Sequence, residues 1–155
     1  MIRFRLNGED VTYEGKPAAR LVDVLRGEMR LTGTKIGCKE GECGACSVLI
    51  DGKLANSCLV AMGSLEDADV LTIEGYRETE RFSALDKAFA SVAAVQCGFC
   101  TPGMALASEA LLSENPKPTE AEIREGISGN LCRCTGYGAI VRAVGLAAEE
   151  GSGLW

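Results

Sequence analysis

The N-terminal half of the chain shows the period-two alternation that is typical of half-buried strands. Residues 2–6 alternate apolar and charged side chains, and Asn7-Gly8 is a strong hairpin signal before the alternation resumes. Apolar residues at helical spacing over residues 21–27 predict a short helix. Three later runs predict strands: residues 47–50, the return strand that starts at Leu54 and carries Cys58, and residues 70–73. These elements predict a small α+β sheet domain over residues 1–75.

After Gly75, helical patterns replace the β-branched runs. Residues 76–82 are charged and predict a linker, and four short helices follow within residues 83–155. Capping residues or apolar spacing mark each predicted helix: Ser83 to about Val95, Thr101 to the residue before Asn115, a third from Thr119 with Glu122 in a capping box, and Tyr137 to about Ala148. The second part of the chain is therefore predicted to be an all-α domain.

Composition and charge exclude several classes of function. The formal net charge is −6 and no basic patch stands out, so nucleic acid is not expected as a partner. No run of about 20 apolar residues occurs, so no membrane span is expected. The N-terminus has no apolar signal-peptide segment, which predicts an intracellular, cytoplasmic protein. Because the 155 residues include no histidine, His-containing zinc sites and His-based acid–base catalysis are excluded.

Eight cysteines in a chain expected inside the cell indicate metal or redox chemistry, because intracellular thiols usually stay reduced. Cys38, Cys43 and Cys46 form a Cys-x4-Cys-x2-Cys run, and Cys58 follows after a predicted hairpin. This is the spacing of plant-type ferredoxins, in which four thiolates hold one [2Fe–2S] cluster. The neighbouring glycines fit a loop that wraps a compact anionic cluster. The alternative is a structural zinc site, although zinc sites favour paired Cys-x2-Cys groups.

The other four cysteines fall at the joints of the helical half. Cys97 and Cys100 lie between the first two predicted helices, and Cys132 and Cys134 lie between the last two. The two pairs would thus come from two helix–loop–helix units that face each other. A helix start directly after Cys100 favours a thiolate there, because free N–H groups and the helix dipole stabilise negative charge. On spacing alone, a [2Fe–2S] cluster and a structural zinc ion both remain open for this set.

Three segments together resemble a known family. They are Gly-Cys-Lys-Glu-Gly-Glu-Cys-Gly-Ala-Cys-Ser-Val (37–48), Gln-Cys-Gly-Phe-Cys-Thr-Pro-Gly-Met (96–104) and Gly-Asn-Leu-Cys-Arg-Cys-Thr-Gly-Tyr (129–137). In this order and spacing they resemble the iron–sulfur subunit of the molybdenum hydroxylases, the xanthine dehydrogenase family. The resemblance implies a β-grasp ferredoxin domain followed by a four-helix domain, each holding one [2Fe–2S] cluster on its four cysteines.

The resemblance also implies a role and partners. Within the family, electrons leave the substrate at a molybdopterin cofactor in a large subunit, pass through the helical-domain cluster and then the ferredoxin-type cluster, and reach FAD in a medium subunit. Gln96 matches the family glutamine that hydrogen-bonds the pterin. The chain is thus expected to be an electron-transfer subunit without catalytic residues, in a hetero-oligomer such as a dimer of heterotrimers. It is also expected to expose apolar surface for its large partner.

Several functions remain open at this point. The resemblance favours a holoenzyme that acts on xanthine, another purine or a related N-heterocycle. Members that act on carbon monoxide, aldehydes or aromatic acyl-CoA thioesters use the same subunit role. From other classes, the alternatives are a free-standing ferredoxin and a zinc-stabilised interaction module. The second set of four cysteines argues against the free ferredoxin, since a diffusible carrier needs only one cluster.

Overall fold

The strands of the N-terminal half pair into one mixed sheet, and the computed structural model describes all residues, Met1–Trp155. Five strands are present: β1 (Ile2–Leu6), β2 (Glu9–Tyr13), β3 (Ser47–Ile50), β4 (Lys53–Asn56) and β5 (Asp69–Leu71). Their order is β2-β1-β5-β3-β4, with β1 and β5 parallel and the other pairs antiparallel. Helix α1 (Leu21–Gly27) buries Leu21, Val24 and Leu25 against the apolar residues of this sheet. This is the predicted β-grasp arrangement.

The period-two pattern of the first strand is present in the structure. Ile2, Phe4 and Leu6 are buried, while the arginines between them are exposed. The hairpin turn at Asn7 and Gly8 has φ values of 53° and 88°, which is the left-handed backbone that two-residue hairpins favour. The two strands pair directly on either side of this turn, so the predicted hairpin is confirmed.

Strand β3 is buried on both faces because it separates two apolar cores. Val48 packs in the core beneath α1, whereas Leu49 packs in the core of the helical half. The neighbouring strand β5 repeats this arrangement, with Val70 on the α1 side and Leu71 against the helices. The continuous apolar run of β3 reflects this double burial rather than a sheet with one solvated face.

The second half consists of helices packed around one largely buried helix. Five are present: α2 (Ile73–Tyr76), α3 (Glu80–Ser91), α4 (Thr101–Glu114), α5 (Glu120–Gly126) and α6 (Gly138–Glu150). Helix α4 is the central one, and its Met104 and Leu106 are fully buried. Thr119 and Glu122 form the predicted capping box at the start of α5. The four predicted helices correspond to α3 to α6. None of the helices has both the length and the apolar stretch that a membrane span requires.

The helix predicted over residues 83–95 occupies Glu80–Ser91 instead. The Thr79 hydroxyl accepts a backbone N–H of the first turn at 3.1 Å and so caps the helix about one turn before the predicted start. The left-handed φ of 52° at Ala93 lies beyond the last helical residue and prevents continuation to the predicted end. Part of the predicted linker over residues 76–82 is therefore helical.

The last strand is also shorter than predicted, because Ile73 starts α2. The Thr72 N–H donates to the Asn7 side chain at 2.8 Å instead of to a neighbouring strand, so the strand stops at Leu71. Cys58 lies beyond the end of β4 and not on the predicted return strand. Both elements thus end earlier than apolar patterning indicates.

Glu109 on α4 joins segments from several parts of the chain. This residue is only 6% exposed, and its carboxylate accepts hydrogen bonds from Tyr76 Oη (2.8 Å), Arg81 Nη1 (2.8 Å), Trp155 Nε1 (2.7 Å) and Ser113 Oγ (2.9 Å). Burial, followed by the adjacent carboxylate, raises the pKa of Tyr76, so its phenol remains the donor. A buried carboxylate is tolerated here because donors surround it. The network ties the segment after the sheet to α4 and to the C-terminal residues.

Candidate metal centres

The first cysteine loop runs between α1 and β3 and directs backbone N–H groups at sulfur. The N–H groups of Glu40 and Glu42 donate to Cys38 Sγ at 3.3 and 3.4 Å, and the Cys38 N–H donates to Cys43 Sγ at 3.4 Å. The Glu40 N–H, followed by those of Cys43 and Glu42, lowers the pKa of Cys38 to about 7. Such donors stabilise a thiolate, which is the form that binds metal.

Glycines let this loop close around the sulfur atoms. A Cβ at Gly37 would lie 2.8 Å from Cys43 Sγ, so a side chain there would occupy the space beside the thiol. Gly44 has a φ of 68°, and a Cβ on it would lie 2.4 Å from the Gly129 carbonyl oxygen. Gly37 thus lets the backbone of the loop approach the Cys43 sulfur, and Gly44 lets the same loop approach the second cysteine loop.

Cys46 and Cys58 form the buried side of the first site, with 3% and 2% exposure. Their side chains contact each other and pack against Val22 and Ile36. Burial raises the pKa of Cys46 to about 11, so the metal-free thiol stays protonated and a metal that binds here displaces that proton. The N–H and hydroxyl of Ser57 both donate to the Cys46 carbonyl, at 3.2 and 2.6 Å, and fix the pair.

The other four cysteines meet across the two helix–loop–helix units. The sulfur atoms of Cys97 and Cys134 lie 3.6 Å apart, and Cys100 shares a hydrogen bond with Cys132. Each contact joins a cysteine of one loop to a cysteine of the other, so the units face each other as predicted. Burial raises the pKa of Cys100 to about 12, and the hydrogen bond with Cys97 raises the pKa of Cys134. Cys97 and Cys134 are exposed, so this site opens to the surface.

A side-chain hydroxyl reaches one sulfur atom of the second site. Thr135 Oγ1 donates to Cys132 Sγ at 3.1 Å and accepts the Tyr137 N–H at 3.2 Å. The Cys132 N–H donates to Tyr137 Oη at 3.0 Å, which closes a ring of hydrogen bonds. Burial opposes ionisation of Cys132, but hydrogen bonds led by that of Thr135 outweigh it and lower its pKa to about 7. Sequence reasoning gave Thr135 no role, although it directly follows the Cys-x-Cys pair.

The eight cysteines are free thiols that meet two by two. In a [2Fe–2S] cluster each of the two irons takes two thiolates, so this donor set and its pairing fit the group.

The two cysteine loops touch each other through the backbone. The Leu131 N–H donates to the Cys43 carbonyl oxygen at 2.9 Å. Buried Asn130 donates to the Gly44 carbonyl at 3.0 Å, and Gly103 packs so closely that a Cβ there would lie 2.5 Å from the same oxygen. Sequence reasoning gave Asn130 no role, because an amide that bridges positions 86 residues apart leaves no local signal.

Exposed apolar side chains lie close in sequence to the cysteines of the second site. Val95, Phe99 and Leu131 are large apolar residues with high exposure, and each lies within two residues of a cysteine of this site. Gln96 is exposed beside Cys97, so its amide is available at the same surface. Exposed apolar side chains thus lie near this site, and their use as a contact surface for a large partner stays a prediction.

Comparison with known families covers most of the chain. Residues 4–76 match the family described as a 2Fe-2S iron-sulfur cluster binding domain, and residues 72–145 match the family described as a [2Fe-2S] binding domain. The two matches meet at α2, and each contains one of the two sets of four cysteines.

Small iron–sulfur subunits of known enzymes match this chain over nearly their whole length. The nicotinate dehydrogenase small FeS subunit of Eubacterium barkeri is 47% identical over 149 residues, which cover 96% of this chain and 95% of the relative. The xanthine dehydrogenase iron-sulfur-binding subunit of Escherichia coli O157:H7 is 44% identical over 145 residues, covering 92% and 91% respectively. Among solved structures, quinoline 2-oxidoreductase from Pseudomonas putida 86 includes a chain with 44% identity and a TM-score of 0.89, covering 96% of this chain and 93% of that one.

Proposed function

This chain belongs to the iron–sulfur subunits of the molybdenum hydroxylase family, and from this premise we propose how it works within a larger enzyme. As a member, it is an electron-transfer subunit of a hetero-oligomeric oxidoreductase and binds iron–sulfur clusters. The predicted family and fold are thereby confirmed. We propose that it relays electrons from a molybdopterin site in a large subunit to FAD in a medium subunit, in an assembly such as a dimer of heterotrimers.

The observation that carries this proposal is the pair of four-cysteine sites joined through the backbone. We assign one [2Fe–2S] cluster to each set: Cys38, Cys43, Cys46 and Cys58 in the ferredoxin-type site, and Cys97, Cys100, Cys132 and Cys134 in the helical site. Each cluster supplies one-electron redox chemistry when bound. The hydrogen bond from Leu131 to Cys43 and the buried amide of Asn130 hold the two sites at a fixed separation. A fixed separation suits a relay, because electrons pass between the sites in every turnover.

Each of the two sites reaches the surface at a place of its own, so each has a face that one partner could cover. The helical site opens to the surface at Cys97, among the exposed side chains of Val95 and Phe99. Contact with a partner would cover this apolar side, and we assign it to the large subunit because the family resemblance implies that order. The ferredoxin-type site approaches the surface at Cys38, where exposed Leu59 lies over the loop. We assign that side to the flavin-bearing subunit.

We assign Gln96 to pterin binding, because an exposed amide beside Cys97 can both donate to and accept from a pterin edge. In the assembled enzyme, Gln96→Ala is expected to lower turnover about tenfold or to reduce pterin retention, since partners around a metal centre typically contribute about 10- to 100-fold. Both cluster EPR signals should persist. Lys87→Ala, an exposed change on α3, is the matched control. Turnover and pterin content equal to the control would remove Gln96 from the site.

We propose that the holoenzyme acts on an N-heterocycle, with a purine as the first candidate. The relatives and the structural neighbour above are named for nicotinate, xanthine and quinoline, which are all N-heterocycles. Aldehydes, carbon monoxide and aromatic acyl-CoA thioesters are the alternative substrate classes for the same subunit role. Assays of the purified holoenzyme with xanthine, nicotinate, an aldehyde, carbon monoxide and an aromatic acyl-CoA thioester separate these classes, and turnover without either N-heterocycle as substrate would reject the proposal.

Metal and sulfide analysis of the purified chain tests the cluster assignment. Two [2Fe–2S] clusters predict about four irons and about four acid-labile sulfides per chain. A zinc-stabilised interaction module would instead carry zinc without sulfide, and a single-cluster ferredoxin about half of the iron. Substantial zinc, or half of the iron in a fully folded chain, would contradict the assignment.

A further inference from the structure

A side-chain hydroxyl reaches one sulfur atom of the helical site, beside backbone donors. In the first site, backbone N–H groups donate to Cys38 and Cys43. In the helical site, the backbone of Cys134 and Thr135 also hydrogen-bonds Cys132, and the Thr135 hydroxyl donates to its sulfur at 3.1 Å. Replacement of the Thr135 side chain removes the bond from the hydroxyl and leaves the backbone donors in place.

The geometry fixes the direction of this hydrogen bond. Thr135 Oγ1 already accepts the Tyr137 N–H at 3.2 Å, so its own proton is free to point at sulfur. Tyr137 is held in turn, because its hydroxyl accepts the Cys132 N–H at 3.0 Å. A cysteine that ligates iron has no proton, so its sulfur can only accept. The ring of hydrogen bonds thus positions a donor against a ligating sulfur.

We propose that the Thr135 hydroxyl sets the reduction potential of the helical-site cluster by donating a hydrogen bond to the Cys132 sulfur. The inference rests on the proposed function, in which Cys132 ligates that cluster. Hydrogen bonds to ligating sulfur and local exposure are the main levers on the potential of an iron–sulfur cluster. A donor stabilises the reduced form more than the oxidised form, because the added electron increases the negative charge on sulfur. The Thr135 hydroxyl therefore raises the potential and helps this site to accept electrons.

Redox titration followed by EPR tests the proposal on the purified, cluster-loaded chain without any assay of turnover. The helical-site signal is the one that disappears in a Cys132→Ser variant. Thr135→Val keeps the shape of the side chain and removes the donor. At one solution potential near the wild-type midpoint, its ratio of reduced to oxidised helical cluster is expected to fall about tenfold, which is about 59 mV for a one-electron couple. The signal of the first site should keep its midpoint.

Two matched variants separate the hydroxyl from the packing of the side chain. Thr135→Ser keeps the donor and should titrate like the wild type. Thr101→Val removes a hydroxyl next to Cys100 that makes no hydrogen bond to sulfur, and should also leave the midpoint unchanged. An unchanged midpoint in Thr135→Val, or equal shifts in Thr135→Val and Thr135→Ser, would overturn the proposal while leaving the cluster assignment intact. Absence of the helical signal from the wild-type chain would instead overturn the proposed function.

Proton ENDOR on the reduced cluster gives a second test if Thr135→Val does not retain iron. Backbone N–H groups at Cys132 contribute exchangeable couplings in every variant. The wild-type helical cluster should show one further coupled proton that exchanges in D2O and that is retained in Thr135→Ser. Thr135→Ala should lack this further proton. An identical set of exchangeable couplings in Thr135→Ala and in the wild type would show that the Thr135 hydroxyl is not a donor, and would overturn the proposal.

Discussion

In a Cys132→Ser variant, one of the two reduced-state EPR signals is expected to disappear while the other remains. Cys132 pairs with Cys100 in the helical site and has no contact with the thiols of the first site. The first site keeps its own loop, its N–H donors to Cys38 and its buried pair, Cys46 and Cys58. Iron should fall from about four to about two atoms per chain.

The same variant should interrupt electron flow in the assembled enzyme. Removal of a residue that hydrogen-bonds a metal ligand typically costs about 10- to 100-fold in metal affinity or activity. Removal of the ligand itself should therefore lower turnover by more than about 100-fold. Cys46→Ser is the reciprocal control, because it should remove the other EPR signal and leave the helical one. Loss of both signals from Cys132→Ser, with an unchanged circular dichroism spectrum, would contradict the assignment of four cysteines to each cluster.

Replacement of Glu109 by alanine should have the largest effect on stability. It would leave the phenol of Tyr76, which is 1% exposed, and the indole N–H of Trp155 without their acceptor. A buried donor without a partner costs about 1–3 kcal/mol, and the half-buried Trp155 indole adds less, so a loss of about 3 kcal/mol is expected. The ion pair adds less, because the Arg81 side chain is 40% exposed and water can solvate it. The midpoint of thermal unfolding should fall by about 6–12 °C.

Thermal unfolding of the cluster-loaded chain under inert gas, followed by circular dichroism, measures this effect. Glu114→Ala is the matched control, because Glu114 is exposed and lies on the same helix. Glu109→Gln should fall between the wild type and Glu109→Ala, since an amide oxygen can still accept from Tyr76 but an amide nitrogen cannot. Equal midpoints for Glu109→Ala and Glu114→Ala would show that the network does not stabilise the chain.

Features that depend on neighbouring residues could be predicted from the sequence. The hairpin at Asn7-Gly8 and the capping box from Thr119 to Glu122 each need only a few adjacent residues to form. The placement of Cys97 with Cys100, and of Cys132 with Cys134, each in one short loop between helices, is local in the same sense. The thiol contacts themselves join one loop to the other and are not local. In these segments the turn and capping residues and the spacing of apolar residues indicate the same structure, so the local sequence is sufficient to predict it.

Features that depend on distant residues could not be predicted in this way. The pattern placed the start of α3 at Ser83, whereas the folded chain caps this helix with Thr79. Glu109 carries an ordinary pattern for a solvated helix face, but its donors come from positions up to 46 residues away. The Asn130 amide donates a hydrogen bond from the second cysteine loop to the Gly44 carbonyl of the first, 86 residues away. Such contacts satisfy buried polar groups, and a one-dimensional pattern does not show which groups will be buried.

The double burial of β3 determines how this chain can be divided or recombined. A fragment with only the first half of the chain would expose Leu49 and Leu71 to water. A single-domain ferredoxin with the same sheet can carry polar residues on that face. Such a fragment should be prone to aggregation. A chimaera of two relatives is therefore expected to fold when its sheet and its α4 come from the same parent. It is expected to misfold when the crossover point separates the sheet from α4.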